Sequence, residues 1–201
     1  VCGEARRFFC PLVGKFNVEN VMSAFASALQ VGIDQDTIAK ALGTAPSVPG
    51  RLERVDAPVG KGVSVFVYYA HTPDALEKVI RALRAVSDGR LIVVFGCGGD
   101  RDASKRSIMG SSSLLADFVV VTSDNPRHED PLAIIEDIRA GLGSDEERYA
   151  IEPDRRSAIA LALEKARSGD CVLIAGKGHE DYQIVGDETF PFDDRLVAAE
   201  E

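Results

Sequence analysis

The sequence predicts an α/β fold with a mainly parallel sheet and helices on both of its faces, and three observations lead there. Short apolar runs alternate with segments of helical period from residue 63 to residue 175. Helix starts are marked where the runs end, at Thr72-Pro73 and Asp130-Pro131, by a capping side chain followed by proline at the first helical position. Each of four runs opens directly into a polar loop punctuated by Gly or Pro.

The elements follow in order. After Gly14-Lys15-Phe16-Asn17, the residues Val18, Val21, Met22, Phe25 and Leu29 form one helical stripe that Gly32 ends. Ile38 and Leu42 support a second short helix, and Ala45-Pro46 with Val48-Pro49-Gly50 breaks the pattern, so a domain boundary is expected near residue 46. Val63 to Tyr69 reads as a strand. Leu76, Val79, Ile80 and Leu83 give the next helix its buried face, with Gly89 as its stop. Leu91 to Phe95 and Asp117 to Ser123 read as strands covered on both sides. Two helices follow, one buried through Ile134, Ile135 and Ile138 and one through Ile159, Ala162, Leu163 and Ala166; Cys171 to Ala175 closes the series as a strand. Tyr182 to Val185 before Gly186-Asp187 adds an antiparallel edge hairpin. Right-handed crossovers between such strands give a Rossmann-like architecture.

Composition narrows the function. The 23 Lys and Arg against 32 Asp and Glu leave a net charge of -9, which opposes a nucleic-acid groove or an anionic membrane surface as the main partner. No apolar run approaches the roughly 20 residues of a membrane span, and the start of the chain has no signal-peptide layout, so a soluble cytoplasmic protein is expected. Cys2, Cys10, Cys97 and Cys171 lie at irregular spacings without a C-x-x-C pair, which suggests neither a zinc site nor a disulfide framework. No metal site is assigned.

The chemistry concentrates in the four loops: Tyr69 to Pro73, Gly96 to Arg101, Asp124 to Arg127 and Gly176 to Glu180. In a parallel sheet these carboxyl ends share one edge, where open α/β folds hold ligands. The crevice so formed gathers Arg101, Arg127, Lys177 and His71 beside Asp100, Asp124 and Glu180. A phosphate site needs little negative charge, whereas a zwitterion needs a guanidinium for its carboxylate and an acid for its ammonium. Gly96-Cys97-Gly98 starts like a dinucleotide fingerprint, but Arg101 stands where the last glycine belongs. That break weighs against a nicotinamide-dependent oxidoreductase. Lys105 and Arg106 read as a solvated first helical turn. The Gly-Lys pairs at 14–15, 60–61 and 176–177 are followed by Phe or Gly, so the chain carries no phosphate loop.

Six strings, in order, carry a resemblance: Gly14 to Asn20, Val48 to Arg54, Tyr69 to Leu76, Gly96 to Asp102, Thr122 to Arg127 and Gly176 to Glu180. The sequence resembles the Mur ligases, in the branch that adds meso-diaminopimelate during peptidoglycan synthesis. The resemblance implies that residues 1–45 are the end of a central ATPase domain and 46–201 the third, amino-acid-binding domain. It implies ATP with Mg2+, held mainly by parts absent here, and UDP-N-acetylmuramoyl-L-alanyl-D-glutamate and meso-diaminopimelate as substrates joined through an acyl phosphate. The remaining domains of the same enzyme would be its partners, and the fragment alone would be inactive. Asn17 and Asn20 are similar to the family's amide pair near adenine, and Arg51 and His71 to its nucleotide contacts from the third domain. Arg101, Asn125, Arg127, Gly176 and Glu180 resemble its diaminopimelate site; no catalytic residue is implied within the chain. Tyr68 departs from the pattern, standing where an aspartate usually precedes Tyr-Ala-His to accept from ribose hydroxyls. Ser104 and Ser107 also stand where a Gly and a Pro are usual. A non-catalytic small-molecule binding module derived from such a ligase is the alternative.

Overall fold

The computed structural model describes residues 7–58 and 62–201; Cys2 and the Gly60-Lys61 pair lie outside them. The chain divides into two compact units, Val1–Ser47 and Val48–Glu201.

In the first unit, helix α1 spans Lys15–Gln30 and α2 spans Gln35–Gly43. Asp34 caps α2 by accepting from the backbone N–H groups of Asp36 and Thr37. Of the apolar stripe on α1, Val21 is buried, while Val18 and Met22 are more than half exposed. Phe25 stacks flat on Phe8, with ring centroids 5.4 Å apart.

The second unit carries a six-stranded sheet in the order β1-β2-β6-β3-β4-β5. Its strands are β1 (Arg51–Val55), β2 (Ser64–Tyr68), β3 (Leu91–Phe95), β4 (Phe118–Val121), β5 (Tyr149–Ile151) and β6 (Cys171–Ala175). All pairings are parallel except β1 with β2. The helices are α3 (Pro73–Arg84), α4 (Lys105–Ser113), α5 (Pro131–Arg139), α6 (Arg155–Lys165) and α7 (Asp194–Glu200). On one face α3 packs on β3 and β6, and α4 and α5 follow it in series. On the other, α6 and α7 bury Ile159, Ala162, Leu163, Val197 and Ala198 against Val65, Val67, Ile92, Val94, Val120, Val172 and Ile174. Alternation within the strands explains this: Ile92 and Val94 face one layer, Leu91, Val93 and Phe95 the other, and both layers are apolar. Truncating Ile159 or Leu163 to alanine in so closed a layer costs about 2–5 kcal/mol.

Three elements are not evident from periodicity. Strand β1 carries the charged residues Arg51, Glu53 and Arg54 because it is an edge: Leu52 is its buried residue, and a bulge between Arg51 and Glu53 puts Leu52 at φ 54°. Strand β5 has only three residues, and α7 opens on acidic side chains. The hairpin of β7 (Tyr182–Val185) and β8 (Glu188–Pro191) forms as expected, but as a sheet of its own. β1 and β5 occupy the edges of the main sheet, and the hairpin instead bonds Arg127, whose N–H donates to Ile184 O and whose carbonyl accepts from Gly186 N–H. Helix α3 ends at Arg84, before Gly89; that glycine is needed where a Cβ would lie 2.1 Å from Gly169 O.

The chain leaves β2, β3 and β4 toward the α3–α5 face, runs outward to β5, and returns through α6 to insert β6 between β2 and β3. After β6 it leaves toward the opposite face. This reversal opens a crevice at the carboxyl ends of the central strands.

Candidate functional site

The register levels the strand ends: Tyr68 lies beside Ala175, Val94 beside Ile174 and Phe95 beside Val121. The four loops therefore leave the sheet at one height and enclose a cavity of about 340 Å³. Tyr69 and His71 line it from the β2 loop, Gly98, Arg101 and Lys105 from the β3 side, Asp124, Asn125 and Arg127 from the β4 loop, and Gly176 and Glu180 from the β6 loop.

Close approach of these loops requires glycine. Gly176 sits at φ 120°, and a Cβ there would stand 2.5 Å from Asp124 Oδ2. Gly178, at φ 58°, would strike Tyr69 at the same distance.

Asn125 is buried with both ends of its amide engaged. Its Oδ1 accepts from Lys177 Nζ at 2.8 Å and from Ile184 N–H at 3.0 Å, and its Nδ2 donates to Glu180 Oε2 at 3.1 Å. The Arg127 guanidinium donates through Nη1 to Gly99 O at 2.8 Å and more weakly to Asn125 O at 3.4 Å. Among the described residues its Nε and Nη2 have no partner, and that edge of the fork has the geometry that pairs with a carboxylate. Arg101 is exposed on the wall.

Lys105 Nζ donates to His71 O at 2.7 Å, and the His71 ring lies 4.5 Å from that of Tyr69. Burial, then the Lys105 charge, hold the His71 imidazole below its ordinary basicity; Glu180 and Asp124 pull the other way and Arg51 adds to the lowering. Arg51 thus stands within electrostatic reach of His71. Asn17 and Asn20 belong to α1 in the first unit, where Asn17 Nδ2 donates to Val13 O and Asn20 Nδ2 to Asn17 Oδ1.

Several sequence-based expectations change. Lys177 is not a wall of the crevice but lies wholly buried beneath it, where it pairs with Asn125 and Asp124. Asp100 faces outward to His128, its Oδ2 2.8 Å from Nδ1, while His128 Nε2 lies 3.0 Å from Asp187 at the hairpin tip. Arg106 is not a solvated first-turn residue: it is buried, bonded to Glu129 and Asp137. Sequence reasoning missed Arg155, which is wholly buried under the β4 and β6 loops. It donates twice to Asp194, at 2.7 Å each, and to Ala175 O and Ser123 O. An arginine just after the capping Asp154 reads as surface; only its distant partner makes it core. Burial pushes the Cys97 and Cys171 thiols up to about 12, which makes both inert.

A switch-point crevice with Arg101 and Arg127 on its walls beside Asp124 and Glu180 marks a Rossmann-like domain. A family model described as Mur ligase, glutamate ligase domain, matches residues 50–178. The chain belongs to the Mur ligase family. It is similar, at 53% identity over 194 residues, to a protein of Synechocystis sp. named UDP-N-acetylmuramoyl-L-alanyl-D-glutamate--2,6-diaminopimelate ligase, covering 96% of this chain and 38% of that one. A relative of the same name from Syntrophomonas wolfei is 54% identical over 191 residues, 94% of this chain and 39% of its own length. A solved structure under that name superposes with a TM-score of 0.77 at 40% identity, across 96% of this chain and 39% of the other. The chain spans about two fifths of the length of the curated relatives it matches.

Proposed function

We propose that the chain is the amino-acid-binding part of an ATP-dependent ligase that joins meso-diaminopimelate to UDP-N-acetylmuramoyl-L-alanyl-D-glutamate. Residues 1–45 would be the end of its central ATPase domain and 46–201 its third domain, acting in the cytoplasm. Val18 and Met22, apolar and exposed on α1, suit a helix that packs on more of such a domain.

The observation that carries the reading is the pairing of Arg127 and Glu180 in one crevice. The distal end of diaminopimelate bears a carboxylate and an ammonium. The open edge of Arg127 receives the first in two parallel bonds, with Arg101 adding charge. Glu180, its Oε2 held by Asn125, receives the second, and Gly176 lets the ligand approach the floor. Held at that end, the amino acid presents its other amine to an acyl phosphate formed on the muramoyl substrate, and positioning supplies much of the acceleration. His71 and Arg51 suit contacts to nucleotide phosphates, and Asn17 and Asn20 contacts to adenine. Mg2+, which is usually bound through one or two carboxylates together with substrate phosphates, would be held mainly by other parts of such an enzyme.

Calorimetry of the chain with meso-diaminopimelate and with L-lysine tests the reading. Binding of the first at least tenfold tighter is expected; equal affinities, or none for either, would overturn it.

A further inference from the structure

Beneath the crevice lies a charge the ligand does not reach. Lys177 is 0% exposed. Its ammonium donates to Asn125 Oδ1 and to Tyr182 O, each at 2.8 Å, and stands 3.7 Å from Asp124 Oδ1. The Asn125 oxygen meets a second donor, Ile184 N–H. Rotating the amide by half a turn would set its NH2 group against two donors, one of them charged, so only one orientation is permitted. In that orientation Nδ2 points at Glu180 Oε2, holding one carboxylate oxygen and leaving the other for a ligand.

We infer that Lys177 is a positioning residue for the ammonium-binding half of the crevice: it locks the Asn125 amide, and the amide aims Glu180. The inference rests on the proposed diaminopimelate reading for its ligand but not for its geometry. Lys177 touches no substrate. Its charge also offsets those of the neighbouring Asp124 and Glu180 carboxylates.

The decisive variant is Lys177→Met, which keeps length and burial but removes the donor. Two ligands separate aiming from general damage: meso-diaminopimelate, and 2-aminopimelate, which keeps the distal carboxylate but lacks the distal ammonium. In the folded variant, diaminopimelate binding should weaken tenfold or more and 2-aminopimelate binding less than threefold. Equal losses, or no loss, would overturn the inference. The side-chain amide resonance of Asn125, assigned by NMR without ligand, is a second readout; it should move or broaden in Lys177→Met, and an unmoved signal rejects the lock. An unaltered chain that binds neither ligand defeats the ligand reading, while the amide signal still decides for or against Lys177.

Should the methionine variant unfold, alkaline titration of the unaltered chain replaces it. The groups facing Lys177 are Asp124, Arg155, Asp194 and Glu180. Arg155, its pKa raised by the Asp194 carboxylate, stays charged through that range, so the Asn125 amide signal should follow the Lys177 ammonium as it loses its proton. An amide signal that ignores the titration counts against the lock.

Discussion

Arg127 combines two roles at the scale of one residue. Its backbone sits at φ 50°, a region that costs a non-glycine residue about 1–3 kcal/mol, and hydrogen bonds to Ile184 and Gly186 hold it there. Its Nη1 is held by Gly99 O, which leaves the opposite edge of the guanidinium without a partner among the described residues. In the proposed ligand site, Arg127→Ala should weaken meso-diaminopimelate by about 2–5 kcal/mol, the range for breaking a desolvated charge pair, and L-lysine far less. Arg127→Lys should rescue little, because a point charge cannot reproduce the fork. Calorimetry with both amino acids checks this; parallel losses would assign Arg127 to holding the loop alone.

At the scale of elements, the hairpin and α7 are tied to the crevice by different electrostatics. His128 links the β3 loop to the hairpin tip through Asp100 and Asp187, and its hydrogen bonds to those two carboxylates raise its pKa above the ordinary 6.5. A folded-state pKa above the unfolded one means that this contribution is full below about pH 6.5 and is lost as pH rises through the folded value. The thermal midpoint should therefore decline over that alkaline side, and His128→Asn should flatten the decline; an identical pH profile in the variant would exclude the clasp. The effect is small, because all three groups are solvent-exposed.

Arg155 binds α6 to α7 and to the strand ends without solvent access. Burial opposes its charge, and the Asp194 carboxylate more than compensates, pushing the guanidinium pKa up. Arg155→Met should leave Asp194 buried and unpaired at a cost of about 3–5 kcal/mol. The paired change Arg155→Met with Asp194→Leu should recover most of that in urea unfolding. A double variant no more stable than the single one would show that the loss comes from the carbonyl contacts instead.

At the scale of the whole molecule, the break at Ser47 and Val48 separates the sheet-bearing unit from the helical one. A chain starting at Val48 should keep a cooperative melt and the diaminopimelate affinity of the longer chain, since every residue proposed for that site lies beyond the break. Loss of the ligand affinity in a folded truncation would bring the first unit into the site. Neither form should release phosphate from ATP, because the chain contains no phosphate loop and no convergent metal-binding donors among its described residues. A coupled phosphate assay with both amino acids present checks this.

The alternation of strands and helices, the caps at Thr72 and Asp130, and the four polar loops on one sheet edge are legible in the chain alone. Each depends on contiguous residues: apolar period, a capping oxygen, a proline or glycine at the turn. Much of the crevice lining, His71, Arg101, Asp124, Arg127 and Glu180 but not Asp100 or Lys177, is legible for the same reason, since parallel strands put their ends together. Folding decided the rest. Strand β1 exists because β2 offers a ladder to a charged edge, and the hairpin stands apart because its partner groups are on Arg127. Lys177, Arg106 and Arg155 are surface residues by type, and they are core here only because Asn125, Glu129 and Asp137, and Asp194 arrive from 23 to 52 positions away. Whether a charge can be buried depends on the partner that meets it in space, and no local pattern encodes that partner.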